Sequence, residues 1–131
     1  MKSITFIRHA NASWDSSIND FDRSLSQIGM EEANLMGDIL AKKEINFDKI
    51  ISSSANRAIS TAEIIKNKMG ITSVITQEKR IYGASSADLY YLIEGLSDNF
   101  NSVALVGHNP TLHLISEQFS GKQFSQFPTC S

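Results

Sequence analysis

The chain has 131 residues, 41% hydrophobic and 20% charged, with a formal net charge of −2 and a pI near 5.9. That length fits one domain over 1–131 with a real core, and the balanced charge argues against a nucleic-acid binder, which shows a clustered basic excess. A single cysteine, Cys130, excludes an internal disulfide framework, and no apolar run suits a signal peptide or a membrane span, so the expectation is a soluble cytoplasmic protein without a membrane partner.

Short apolar runs alternate with longer helical patterns, which points to βα units around a parallel sheet. The expected fold is α/β, a three-layer sandwich with a mostly parallel central sheet and helices on both faces. The first strand is read over 2–7 as a buried run ending at Arg8 and His9. A polar loop, 11–23, follows; its length and its Trp14, Asp20, Asp22 and Arg23 suggest a functional loop rather than a simple connection. Ser24 or Ser26 caps a first helix whose buried stripe is read as Ile28, Leu35, Met36, Ile39 and Leu40. A second strand, 48–53, ends in serines. A second helix starts near Ser54 or Asn56, with Ala58, Ala62, Ile65 and Met69 inward and Gly70 as its stop. A short third strand is placed at 73–76. Ser85 or Ser86 caps a third helix carrying Leu89, Leu92, Ile93 and Leu96. The run 102–106 is apolar on both faces, as a central parallel strand should be. It leads through Gly107, His108, Asn109 and Pro110 into a fourth helix that buries Leu112, Ile115 and Phe119. The tail, 121–131, is polar with aromatics.

Two strand ends thus present histidines, His9 and His108, and a third supplies Arg57 one turn into a helix. In a parallel sheet these ends share one edge, where ligands bind. Arg8, His9, Arg57 and His108 can converge there beside helix N-termini that favour anions. Two guanidinium groups and two imidazoles around one point suit a phosphoryl group, whose transfer needs positioned donors above all. A neutral imidazole can attack phosphorus if one nitrogen is free and the other is held as a donor. His9, beside Arg8, is the expected nucleophile, and His108 the donor to a phosphoryl oxygen. Neighbouring cations should keep His9 neutral.

Other chemistry is less well supported. His113 is five residues from His108 and shares no helix face with it, which speaks against a zinc pair. Cys130 lacks the following arginine of a thiol phosphatase loop. Ser13 and Ser85 lie in no nucleophile elbow, and no Gly-Lys-Ser/Thr phosphate loop occurs. Asp20, Asp22 and Arg23 serve equally well as substrate contacts or as loop caps. Tyr82, Tyr90 and Tyr91 read as core or rim.

Five stretches, in order, resemble the histidine phosphatase superfamily, the phosphoglycerate mutase-like proteins, and within it the small SixA-type phosphohistidine phosphatases. They are Arg8-His9-Ala10-Asn11-Ala12-Ser13-Trp14-Asp15; Asp22-Arg23-Ser24-Leu25-Ser26 with Gly29; Ile51-Ser52-Ser53-Ser54-Ala55-Asn56-Arg57-Ala58 with Thr61-Ala62-Glu63; Tyr82-Gly83-Ala84-Ser85; and Val106-Gly107-His108-Asn109-Pro110. The resemblance implies that Arg8, Arg57 and His108 bind the phosphoryl group and that His9 becomes phosphorylated; Asn11 and Arg23 are further candidate substrate contacts. It implies no metal and no cofactor. The implied substrate is a phosphohistidine on a protein partner such as a phosphotransfer domain, met by a monomer.

The chain also departs from the family. Ala10 replaces the usual glycine after Arg-His. Lys79 stands where larger members carry a glutamate general acid, leaving Glu78, one place off, as a weak substitute. There is no room for lid insertions, so the pocket should be shallow. The family adds a further edge strand after the stretch matching 127–131; the sequence stops there, so the expectation is either that it is cut short or that an edge strand is missing. Two other readings stay open: a phosphatase of small phosphate esters or sugar phosphates, and a phosphate-sensing or interaction module without turnover.

Overall fold

Four strands, β1 (Ser3–Arg8), β2 (Lys49–Ser53), β3 (Thr76–Glu78) and β4 (Ser102–Gly107), form one parallel sheet in the order β1-β4-β2-β3. The computed structural model describes residues 3–96, 98–120 and 130–131. In register, Arg8 lies beside Gly107, Ser52 beside Val106, and Ser53 beside Glu78. The C-terminal ends of β1, β4 and β2 therefore share one edge.

Period two along the strands explains the layers. On β4, Ala104 and Val106 face a cluster with Ile7, Leu40, Phe47, Ala58, Ala62 and Ile65. Val103 and Leu105 face the opposite cluster, with Leu89, Ile93, Leu112 and Ile115. Helices α1 (Gln27–Lys42) and α2 (Asn56–Met69) cover the first face; α3 (Ser86–Glu94) and α4 (Thr111–Ser120) cover the second. This is the expected three-layer α/β/α sandwich. Caps fix where the helices begin. Ser26 Oγ accepts from Gly29 N, and Ser85 forms a reciprocal capping box with Asp88. Gly70, at φ 70°, ends α2 in the left-handed conformation. Among the described residues no helix is long and apolar enough to cross a membrane.

Several boundaries and faces differ from expectation. β1 runs one residue further, to Arg8, and as an edge strand of this sheet it is only partly covered; Ile7 alone is fully buried. β3 lies at 76–78 rather than 73–76, where it pairs with β2. The buried face of α1 is Gly29, Ala33, Gly37 and Leu40, whereas Ile28 and Leu35 are more than half exposed. The reason is close helix packing: a Cβ on Gly37 would lie 2.5 Å from Lys68 Cβ of α2. Phe119 is also exposed, its ring stacked on Tyr90. Of the tail, residues 121–129 lie outside the described residues. Cys130 is buried, its N–H donating to the carbonyls of Arg8 and His9, and Arg8 N–H donates to Ser131 O.

Candidate active site

The strand edge carries a cleft of about 310 Å³ lined by Arg8, His9, Asn11, Ala12, Trp14, Arg23, Arg57, His108 and Asn109. All six residues expected at the site meet there. His9 follows β1, with its N–H bound to Gly107 O of β4. Its Nδ1 lies 2.8 Å from the Ala10 carbonyl, which can only accept, so Nδ1 carries the proton. Nε2 is then a lone pair, and Arg57 Nε–H points at it from 3.4 Å. One ring nitrogen is thus held as a donor and the other is a free lone pair. The ring is 8% exposed, and burial first, then Arg57, Arg8 and Arg23, push its pKa down to about 4 against the Ala10 hydrogen bond. The cations contribute, but burial outweighs them.

His108 lies 5.2 Å from His9, ring centre to ring centre. Its Nε2 is 2.8 Å from Ser53 Oγ, at the end of β2. The Ser53 hydroxyl is fully buried and already accepts Ala55 N–H at 3.2 Å. Its own proton must go to an acceptor, and His108 Nε2 is the one in reach among the described residues. The proton of His108 therefore sits on Nδ1, a buried atom with no hydrogen-bond partner among the described residues. Burial, then His9 and Arg57, lower the His108 pKa to about 3, so it too is neutral at physiological pH.

The loop 11–26 is closed at its neck by an Ala12–Leu25 bridge and by Ser13 N–H on Ser24 O. Arg23 reaches back to Ser13 O at 3.0 Å through Nε, and its guanidinium stacks 3.9 Å over the exposed Trp14 ring. Asn11 is tied to the start of α1: its carbonyl accepts Ser26 N–H at 3.0 Å and its Oδ1 accepts Ser26 Oγ–H at 2.7 Å. Asp20 accepts from Arg57 Nη2 and from Arg23 Nη1, both at 3.0 Å, and from the Tyr82 hydroxyl at 2.7 Å. Tyr82 first, then the two arginines, hold its carboxyl well below the usual range.

A model of the histidine phosphatase superfamily (branch 1) matches residues 4–81, the segment that carries His9 and Arg57.

The chain belongs to the histidine phosphatase superfamily.

An uncharacterised protein of Mycobacterium tuberculosis is 32% identical over 105 residues, covering 80% of this chain and 64% of that protein. The chain thus spans less than two thirds of that relative. The mitochondrial serine/threonine-protein phosphatase PGAM5 of Homo sapiens is 40% identical over 76 residues, 57% of this chain and 26% of its own. Among solved structures, a candidate phosphohistidine phosphatase SixA from Agrobacterium tumefaciens superposes with TM-score 0.84 at 33% identity, over 90% of this chain and 76% of that one. A protein histidine phosphatase SixA complexed with tungstate shares the fold, with TM-score 0.77 at 24% identity, over 97% and 83% of the two chains.

For this superfamily member, sequence reasoning missed Ser53 and the contacts that Tyr82 and Asp20 make. Ser53 was visible only as one of three serines at a strand end. Tyr82 was read as core or rim; it is a rim residue that also hydrogen-bonds Asp20 and meets His108 edge-on at 5.6 Å. Asp20 gave the signal of an acid three residues before Arg23, but its bond to Arg57 spans 37 residues of sequence. Glu78 lies off the cleft, its carboxylate held by Arg80 at 2.9 and 3.0 Å. His113 is half-buried and pairs with Glu117 along α4 at 2.6 Å. Cys130 is no nucleophile: burial pushes its thiol up to about 12.

Proposed function

We propose that the protein is a metal-independent phosphatase that works through a phosphohistidine on His9 and removes phosphate from phosphohistidine on a protein partner. The observation that carries the reading is the His9 tautomer: Nδ1–H held by Ala10 O, with the Nε2 lone pair facing Arg57 inside a cleft that also holds Arg8, Arg23 and His108. Nε2 attacks phosphorus, forming an N–P bond as the bond to the leaving nitrogen breaks; that nitrogen keeps the electron pair and takes a proton from water. The charge on the equatorial oxygens falls to Arg8, Arg57 and His108. Water then forms an O–P bond, the P–Nε2 pair returns to His9, and inorganic phosphate leaves as a proton passes to solvent.

The chemistry of the cleft supports this choice of substrate. Its described lining holds no aspartate or glutamate, and the neighbouring Asp20 stays ionised. An alkoxide leaving group would need an enzymatic acid, whereas an imidazole is readily protonated as it departs. PGAM5, a relative over 76 residues, is named as a serine/threonine-protein phosphatase, which supports a protein partner and leaves the phosphorylated residue to the test below.

The test is phosphate release from a phosphohistidine-bearing phosphotransfer protein with a metal chelator present. Wild type should release phosphate, and His9→Ala should lose at least about 10³-fold. Equal release from both would remove His9 as nucleophile. Preferential turnover of a small phosphate ester would reassign the substrate.

A further inference from the structure

Arg57 is a buried cation, 7% exposed, so its direction depends on what holds its fork. Its Nε–H edge faces His9 Nε2, while its far end is taken by a single residue. Nη1 donates to the Asp20 carbonyl at 2.6 Å and Nη2 donates to Asp20 Oδ2 at 3.0 Å. A planar guanidinium held at its end by two acceptors cannot rotate about its own axis, which leaves the Nε edge directed at the nucleophile.

Asp20 is in turn held by the structure around it. It opens a short 3-10 turn, Asp20–Asp22, capped by Asn19 Oδ1 on Asp22 N–H at 3.2 Å. Asn19 Nδ2 donates to Asp22 Oδ2 at 2.8 Å, and Asn56 of α2, next to Arg57, donates to Asp22 O at 3.2 Å. Phe21 meets the Tyr82 ring edge-on at 5.1 Å, and the Tyr82 hydroxyl bonds the Asp20 carboxylate. Through Oδ1 the same carboxylate holds Arg23.

We propose that Asp20 is a positioning residue: its carboxylate and carbonyl grip the end of Arg57, so that the Nε edge of that guanidinium addresses a phosphoryl group on His9. The proposal rests on the phosphatase reading above. Asp20 touches no substrate and acts through Arg57.

The test is a double-mutant cycle on phosphate release from the phosphohistidine-bearing protein, using wild type, Asp20→Ala, Arg57→Ala and the double variant. Asp20→Ala should lower kcat roughly ten- to a hundredfold, the scale of a misplaced catalytic group. The double variant should be no slower than Arg57→Ala alone. Asp20→Asn, which keeps an oxygen acceptor in place, should recover part of the loss. Melting temperatures give the folded fraction of each variant, and in the folded Asp20→Ala enzyme kcat should fall with KM little changed, whereas a merely structural role would lower the folded fraction and leave the kcat of the folded enzyme as it was. Losses that multiply in the double variant, or an Asp20→Ala enzyme as fast as wild type, would overturn the proposal and leave the phosphatase reading intact. An inactive wild type would overturn both.

Discussion

At the scale of single residues, the two histidines are kept neutral by the fold, and this has a thermodynamic consequence. Burial, reinforced by the neighbouring arginines and opposed at His108 by Asp20, sets the pKa of His9 at about 4 and of His108 at about 3, against 6.5 for the unperturbed side chain. Between about pH 4 and 6.5 the unfolded chain binds these protons and the native protein does not. Stability therefore rises with pH across that window and is lost as pH falls through it. At pH 5 unfolding should take up about two protons from this pair, and His9→Gln should remove about one of them. Urea midpoints measured from pH 7 to pH 4.5 check this; a flat profile over that range would refute the neutral, buried pair. Activity limited by neutral His9 should likewise stay level from pH 8 down to about pH 5. The four residues of the core site were legible in the sequence because each follows a strand end. Ser53 and Asp20 were not, because their roles are bonds to side chains 55 and 37 residues away.

At the scale of elements, the start of α1 is built against the site loop. Gly29 is where the loop backbone crosses the helix: a Cβ there would sit 2.0 Å from Asn11 O. The same carbonyl accepts the Ser26 N–H, and Asn11 N–H donates to Glu32 of α1 at 2.8 Å. Gly29→Ala must push that backbone away and should cost about 1–3 kcal/mol, the range for overpacking. Because residue 11 follows Ala10, whose carbonyl sets the His9 tautomer, activity should fall as well. Denaturant unfolding together with phosphate release checks this, and a variant as stable and as active as wild type would contradict it. The helix also shows where periodicity misleads. Ile28, Leu35 and Ile39 recur at helical spacing, yet they form the outer face. The inner face is Gly29, Ala33, Gly37 and Leu40: Gly37 is small because α2 approaches it closely, and Gly29 because the site loop does. A hydrophobicity pattern rewards size, and tight helix pairing selects against it. β4 was legible for the opposite reason: it is covered on both faces, so every residue within it had to be apolar.

At the scale of the whole molecule, parallel topology concentrates positive charge where the total charge would not suggest it. The chain carries a net −2, yet the ends of β1 and β2 and the loop between β1 and α1 bring Arg8, Arg57 and Arg23 around one cleft. An anion bound there would link β1, the loop after β4 and the start of α2, elements drawn from 8 to 108 in the sequence. It binds only when all of them are in place, so binding free energy becomes folding free energy. Inorganic phosphate at a hundred times its dissociation constant should stabilise the native state by about 2.7 kcal/mol. For a chain of this length that raises Tm by on the order of 10 °C. Chloride at equal ionic strength should give much less, since it cannot accept several directed hydrogen bonds at once. Arg57→Ala should abolish most of the phosphate effect, because it removes the fork that faces His9. Thermal melts of both proteins in phosphate and in chloride decide the matter: an equal shift in wild type and variant would place the anion elsewhere and break the link between the sheet edge and the phosphoryl site.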